Sequence, residues 1–403
     1  MTNEIKNVPE LRFPEFEDEW KQKRLGEVAE IIGGGTPSTS NPQYWGGDIN
    51  WYSPIEIGEN IYLNESKNKI TKMGLKKSSA KILPIGSVLF TSRAGIGNTA
   101  ILKKEAATNQ GFKSIVPKDN KLDTYFIFSR TNELKKYGEI NGAGSTFVEV
   151  SGKEMEKMPM LFPEISEQQK IGNFFSKLDR QIELEEQKLE KLEEQKKGYM
   201  QKIFSQELRF KDENGNDYPG WETNKIEDIA NVTKGFTPST KNNDYWYNKN
   251  KNWLSIAGMD EKYLYHGNKG ITDLASQKHD KVEENTLIMS FKLTLGKLGI
   301  VKEPMYTNEA ICHFNWKSKY VNTEYVYYYL SYINIDSFGS QAVKGITLNN
   351  DSINSIVIKL PSLSEQHKIS DLFRKYDSFI EKQASKIKLF KERKKGFLQK
   401  MFV

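Results

Sequence analysis

The sequence predicts an α+β chain of two similar globular domains, joined by two long helices that form an antiparallel coiled coil, with a pseudo-twofold internal repeat. Three observations predict it. A helical stretch occurs twice, each copy carries a sustained apolar seam, and the segments ahead of the two copies share a frame of matching residues.

The repeated stretch opens as Pro163-Glu-Ile-Ser-Glu-Gln-Gln-Lys-Ile and closes at Lys202-Ile203-Phe204. It returns without insertion from Pro361-Ser-Leu-Ser-Glu-Gln-His-Lys-Ile to Lys400-Met401-Phe402. A repeat of about half the chain length governs how everything else is read. Pro163 and Pro361 sit just outside each helix, Ser166 and Ser364 are the expected N-caps, and Gln169 takes the capping-box position.

Apolar residues recur at alternating spacings of four and three. The first copy has Ile171, Phe175, Leu178, Ile182, Leu189, Leu192, Tyr199 and Ile203; the second has Ile369, Phe373, Tyr376, Ile380, Ile387, Phe390, Phe397 and Met401. Such an a/d seam is the sign of a coiled coil. A lone amphipathic helix on a globular core fits less well, because residues 183–197 are Glu, Lys and Gln almost throughout outside the seam.

Two polar residues interrupt each seam: Glu185 and Lys196, then Gln383 and Lys394. A parallel pairing without stagger sets Lys196 against Lys394, burying like charges. An antiparallel pairing that sets Glu185 against Lys394 and Lys196 against Gln383 avoids this. It also places Leu189 by Phe390, Leu192 by Ile387, Ile182 by Phe397 and Tyr199 by Ile380. The expected register therefore has a Glu185–Lys394 contact.

The repeat extends beyond the helices. Leu11-Arg12-Phe13 and Trp20 return as Leu208-Arg209-Phe210 and Trp221; Gly35-Thr-Pro-Ser-Thr39 returns as Phe236-Thr-Pro-Ser-Thr240. Tyr44-Trp45 and Trp51 return as Tyr245-Trp246 and Trp253, and Asn109-Gln110-Gly111 as Asn308-Glu309-Ala310. Between these matches the halves diverge. Strand-like runs occupy 82–91, 286–290 and 356–360, and helices with aromatic faces are expected over 125–134 and 325–333. Four segments result: a first globular domain (1–163), a first spacer helix (164–205), a second globular domain (206–361) and a second spacer helix (362–403).

Composition is that of a soluble protein, with 37% hydrophobic and 28% charged residues and no apolar run of membrane-spanning length. The opening Met1–Asn7 lacks the layout of a signal peptide. One cysteine, Cys312, rules out an internal disulfide and fits a cytoplasmic protein. A net charge of +6 permits a polyanionic partner.

Catalytic signatures are weak. Asn41-Pro42-Gln43-Tyr44 resembles the Asn/Asp-Pro-Pro-Tyr/Phe motif of adenine methyltransferases, with Gln in place of the second proline. Its counterpart at Asn243-Asp244-Tyr245 lacks proline altogether, and no Phe-x-Gly-x-Gly loop accompanies either; a turn before an aromatic pair is the better reading. Gly152-Lys153 and Gly296-Lys297 lack the rest of a phosphate-gripping loop. His266, His279, His313, His367 and Cys312 show no ligand spacing, so no metal site is expected. Nothing like Gly-x-Ser-x-Gly is present.

Binding chemistry remains. The divergent part of the first half offers Lys67, Lys69, Lys72, Lys76, Lys77, Ser92, Arg93, Asn98 and Lys113. The second offers Lys262, Lys269, Lys278, Lys281, Lys292 and Lys297. Lysine and arginine suit phosphates; Arg, Asn and Ser/Thr can read base edges. Each lysine has an ordinary alternative as a solvated surface residue, and Tyr327, Tyr328 and Tyr329 are better read as core than as base-stacking groups.

Taken in order and doubled, these motifs resemble the specificity subunit (HsdS) family of type I restriction–modification systems, over nearly the whole chain. The telling residues are Leu11-Arg-Phe-Pro-Glu-Phe with Trp20, Gly34-Gly-Thr-Pro-Ser38, the Ser92–Gly97 run, Asn109-Gln-Gly111 and the twice-used Ser-Glu-Gln-x-Lys-Ile helix entry. The resemblance implies that each globular half is a target-recognition domain reading half of an asymmetric bipartite site on double-stranded DNA. It implies docking of two modification (HsdM) subunits and of restriction (HsdR) subunits. S-adenosylmethionine and ATP then belong to those partners, no cofactor to this chain. The chain would supply address rather than catalysis, would not methylate or cleave alone, and would be poorly soluble without partners.

A helix from Ser166 to Phe204 spans roughly 58 Å at 1.5 Å per residue. This exceeds a DNA turn of about 34 Å, so the readers are expected on successive major-groove faces. The second half departs from the family run at Ser290–Gly296, where Phe291 is read in place of the arginine, with Lys292 the nearest substitute, and the first glycine is missing. Two other readings stand beside this one: a self-contained methyltransferase with a fused recognition region, and a coiled-coil scaffold for proteins only.

Overall fold

The computed structural model describes residues 7–93, 95–143, 148–247, 249–342 and 345–403. The opening residues 1–6 and residue 94 of the Ser92–Gly97 run therefore lie outside the described residues. The chain divides into two compact units, one formed by Met1–Glu186 with Ser385–Val403 and the other by Gln187–Ala384. The division cuts the central helix (Ile165–Phe204) and the C-terminal helix (Leu363–Lys400) at mid-length, so each unit holds a globular part plus half of each helix.

The globular parts share one topology. In the first unit a five-stranded sheet runs in the order Ala29–Gly33, Lys113–Pro117, Val88–Phe90, Thr99–Leu102, Tyr62–Leu63; all pairings are antiparallel except the last. The second unit repeats it with Ala230–Lys234, Ile311–Trp316, Leu287–Ser290, Leu298–Val301 and Tyr263–Leu264. The central strands read as continuous apolar runs because both faces are covered: Val88, Leu89 and Phe90, and Leu287, Ile288 and Met289, are all fully buried. The expected strand over 82–91 shrinks to Val88–Phe90, and the helix over 125–134 is two helices, Thr124–Ser129 and Thr131–Asn141. In the second unit a single helix spans Thr323–Tyr332, with Tyr328 and Tyr329 buried.

The helix-entry motif and the Leu-Arg-Phe…Trp motif recur together because they touch. Glu167 is buried; Arg12 donates to both its carboxylate oxygens at 2.8 Å, and Trp20 Nε1 donates at 3.4 Å. In the second unit Arg209 donates to buried Glu365 at 3.2 and 2.7 Å, and Trp221 Nε1 at 3.2 Å. The next residue docks the same helix turn: Gln168 accepts from Asp123 N and donates to Pro163 O, as Gln366 does with Asn322 N and Pro361 O.

This docking moves the helix starts. The helices begin at Ile165 and Leu363, so Ser166 and Ser364 lie inside the first turn instead of capping it, and Gln169 falls beyond the capping-box position. Ser362 Oγ, not Ser364, accepts from Glu365 N at 3.4 Å.

The far end of each helix completes a core. Phe204 packs on Tyr325, Tyr329 and Phe373 in the second unit, where the chain runs straight on to Leu208, whose amide donates to Lys202 O at 3.0 Å. In the first unit Phe402 packs on Trp20, Phe126 and Phe175, and Leu11 N donates to Lys400 O at 2.8 Å. Residues from opposite ends of the sequence thus make the contact that the second unit makes locally.

Within each unit the two helices run antiparallel, with seam positions such as Ile171, Phe175, Ile182 and Ile387, and Ile203, Ile369, Phe373 and Gln383, buried. The register differs from the expected one. Lys394 pairs with Asp179 at 2.5 Å, and Glu185 takes Lys386 at 2.7 Å. In the second unit Lys196 pairs with Asp377 at 2.6 Å. Phe397 meets Phe174 and Tyr199 meets Tyr376, ring pairs that belong to the same shifted register. The globular parts set this register. Asp179 is held by Tyr125 OH at 2.7 Å and Asp377 by Tyr328 OH at 2.5 Å, so each lysine reaches a carboxylate that is already positioned.

His313 lies in the second sheet between Thr233 Oγ1 and Thr307 Oγ1, 3.2 Å from Nδ1 and 2.6 Å from Nε2, and burial pushes its pKa down to about 4. The fold holds the neutral imidazole. Its contribution is full above the unfolded value of 6.5 and is lost as pH falls through the window down to about 4. A urea midpoint that drops between pH 7 and pH 5, and drops less in His313→Gln, is the expected result. For the helix pair, Lys394→Glu should lower stability by about 2 kcal/mol, since one partner of a partly buried pair is reversed. Asp179→Lys in the same chain should recover part of this and Glu185→Lys none, as read by thermal unfolding.

Candidate nucleic-acid interface

One loop and one turn build the same scaffold in both units. In the first, Trp45 and Trp51 meet edge-to-face at 5.1 Å, and their indole N–H groups donate to Ser38 O (3.1 Å) and Gly35 O (2.9 Å). In the second, Trp246 and Trp253 meet at 5.2 Å and donate to Ser239 O (3.1 Å) and Phe236 O (2.9 Å). The loop lies so close to its neighbour that a Cβ on Gly34 would sit 2.0 Å from Asn109 O, and one on Gly235 2.1 Å from Thr307 O. Ser38, Thr39 and Ser40 are left facing solvent, as are Ser239 and Thr240.

The adjoining turn is closed by an asparagine. Asn109 Oδ1 accepts from Gly111 N at 2.6 Å, and Asn308 Oδ1 from Ala310 N at 2.8 Å. Their side-chain amides reach Thr36 Oγ1 (3.4 Å) and Thr237 Oγ1 (2.8 Å) respectively. Thr36 also donates to Gln110 Oε1, so Gln110 stands beside the loop hydroxyls.

A hairpin loop borders the turn. Thr91 Oγ1 donates to Gly95 O and accepts from Asn98 N; Ser290 Oγ likewise donates to Thr294 O and accepts from Lys297 N. These bonds align the two loops residue by residue and correct the sequence reading. Phe291 stands where Ser92 stands, each amide donating to the turn (Gly111 O at 2.8 Å, Ala310 O at 3.0 Å), and Lys292 takes the place of Arg93. Thr294 replaces the missing glycine.

The proposed DNA-contacting residues separate on this scaffold. Lys67, Lys72, Lys76, Lys77 and Asn98 are exposed and Lys69 half-buried, on or beside the strand Asn68–Ile70, the short helix Lys72–Lys76 and the hairpin loop. Arg93 and Lys113 flank Glu149, at 3.9 and 3.0 Å from its carboxylate. Lys269, Lys278, Lys281 and Lys292 are exposed, with Lys269 lying over Trp246 and Trp253, and Lys297 pairs with Asp260 at 2.9 Å.

Two residues are removed from the surface. Ser92 is fully buried, and its hydroxyl donates to Gly111 O at 3.1 Å. Lys262 is mostly buried; its ammonium donates to Tyr328 OH at 2.6 Å and lies 3.4 Å from both Glu324 and Asp377. Burial pulls its pKa down against the pull of those carboxylates. Its charge is spent inside the fold. Sequence reading missed Glu149, which lies in the divergent stretch and has no motif around it.

Asn41 caps a turn: its Oδ1 accepts from Gln43 N at 3.0 Å, as Asn242 accepts from Asp244 N at 3.0 Å. Among the described residues no cluster of three or more His, Cys, Asp or Glu side chains is placed to hold a metal ion, and no helix is long and apolar enough to cross a membrane.

Two matched scaffolds, each presenting different polar and basic side chains from loops, define a doubled recognition module. A family model for the type I restriction modification DNA specificity domain matches residues 17–194 and 218–389, and the chain belongs to that family. It is 35% identical over 228 residues to the type I restriction enzyme MjaIX specificity subunit of Methanocaldococcus jannaschii, covering 54% of this chain and 53% of that one; the chain thus spans about half the length of that relative. A putative MjaX specificity subunit from the same organism is 26% identical over 418 residues, covering 96% of this chain and 94% of the relative. The crystal structure of the type I restriction-modification system S subunit from M. genitalium shares the fold, with TM-score 0.63, 14% identity and coverage of 98% of this chain and 99% of that one.

Salt dependence should separate the exposed cations from the buried lysine. Arg93→Ala should reduce the slope of log affinity for DNA against log salt by about 1, and Glu149→Gln, which unmasks Arg93 and Lys113, should steepen it. Lys262→Met should leave the slope unchanged and lower the unfolding midpoint instead.

Proposed function

We propose that this chain is the DNA-specificity subunit of a type I restriction–modification complex, with each unit reading one half of an asymmetric bipartite target. The carrying observation is the doubled scaffold itself. The same tryptophan pair, asparagine turn and hydroxyl-stapled hairpin occur in both units, while the side chains displayed on them differ. Arg93 and Gln110 in one unit stand against Lys292 and Glu309 in the other. Two readers of one build and different chemistry bind two different sequences.

The chain carries address. Adenine methylation and cleavage belong to partner subunits, two for modification and further ones for restriction, which bring S-adenosylmethionine and ATP; the complex works in the cytoplasm. The relatives' names as specificity subunits support this division of labour. A self-contained methyltransferase finds no support at Asn41–Tyr44, whose polar groups close a turn. Replacing residues 21–162 with the matching stretch of another family member should change one half of the methylated motif and leave the other intact. Sequencing of modified adenines in cells with the partner subunits reads this out; a change in both halves would refute independent readers.

A further inference from the structure

We propose that Ile55 in the first unit and Leu293 in the second are specificity-determining side chains that each read the C5-methyl group of a thymine in the major groove. The inference rests on the DNA-reading assignment above and deepens it. Among the exposed large hydrophobic side chains of the described residues these two stand furthest into solvent, at 89% and 84%; the next, Ile140, is at 69%. Single exposed aliphatic residues are ordinary on protein surfaces. Placement sets these two apart.

Both sit at the tips of tight loops bordering the asparagine turn. Pro54, beside Ile55, has its Cγ 3.1 Å from where a Cβ on Gly111 would lie, and Arg93 Nε is 3.4 Å from the same point. Leu293 follows Lys292 on the hairpin loop whose Phe291 amide donates to Ala310 O at 3.0 Å. Each apolar tip therefore accompanies a cation on the face assigned to DNA.

Both tips belong to closed turns, the second stapled by Ser290 Oγ, which donates to Thr294 O and accepts from Lys297 N. Glu56 accepts from Ser53 N (2.9 Å), Ser53 Oγ (3.0 Å) and Lys67 N (2.8 Å), closing the turn that holds Ile55 outward. Leu293 adopts φ 67°, a left-handed conformation that costs a leucine energy and returns no packing.

The units also exchange which loop carries the aliphatic group. The position matching Ile55 is Ala257, on the loop after Trp253, and the position matching Leu293 in sequence is Ala94, which lies outside the described residues. One aliphatic tip per reader is kept while its loop changes. Among the major-groove edges of the four unmodified bases only thymine offers a methyl group, so on unmethylated target DNA an apolar tip flanked by cations finds its partner there.

The test uses the full chain with its partner subunits and duplexes carrying its methylation target. In one duplex the thymines of the half-site assigned to the first unit are replaced by uracil, which removes the methyl and keeps base pairing. In another the same change is made in the second half-site. Wild type should bind the first uracil duplex about fourfold more weakly than the thymine duplex, the value of one buried methyl-sized group. Ile55→Ala should bind both equally, at about the wild-type level for uracil, while keeping normal sensitivity to uracil in the second half-site. Leu293→Ala should give the mirror result.

Equal loss by the alanine variants on thymine and uracil DNA would overturn the inference. So would indifference of wild type to uracil, or a half-site without an A·T pair. These failures leave target binding intact. Absence of any target preference would instead overturn the assignment of the chain as a DNA reader.

Discussion

Everything in each unit hangs on a carboxylate taken out of water. Glu167 and Glu365 are buried in the first turn of their helices, and a buried charge is tolerable only when paired and hydrogen-bonded. Arg12 and Trp20 meet that demand in one unit, Arg209 and Trp221 in the other. The pairing ties the segment entering the globular part to the helix leaving it. From this tie follow the start of each helix and the docking of Gln168 and Gln366. It also sets the face that each helix turns towards its own sheet.

A second constraint shapes the recognition loops. Their backbone polar groups are closed by the scaffold: indoles hold the Gly35 and Phe236 carbonyls, asparagines close the turns, and Thr91 and Ser290 staple the hairpins. With those groups satisfied internally, the outward side chains are free to differ without cost to folding. That is why the halves of this chain agree at tryptophan, asparagine and small hydroxyl residues and disagree at the positions beside them. Arg93 against Lys292 and Gln110 against Glu309 are differences laid on one frame.

Much of the fold was legible in the sequence because it is written in periodicity and repetition. The seam through Ile171, Phe175 and Ile182 follows from helical spacing, and the doubled domain from matched motifs in matched order. The candidate site was less legible. Ser92 and Lys262 look like surface contacts because serine and lysine usually are. Only the third dimension puts Ser92 against Gly111 O, and Lys262 among Glu324, Tyr328 and Asp377. Glu149 carries no local signal, since its meaning comes from Arg93 and Lys113 opposite it.

The sequence by itself determined the doubled α+β build, the two amphipathic helices and their antiparallel sense, all consequences of residue spacing and of like charges that cannot share a buried layer. Tertiary structure decided the register. Heptad logic ranks pairings by seam residues alone, and it favoured Glu185 opposite Lys394. The folded chain places Lys394 on Asp179 and Lys196 on Asp377, because Tyr125 and Tyr328 from the globular parts already hold those carboxylates. A register is a sum over every surface a helix touches, and the sequence pattern of the helices records only one of them.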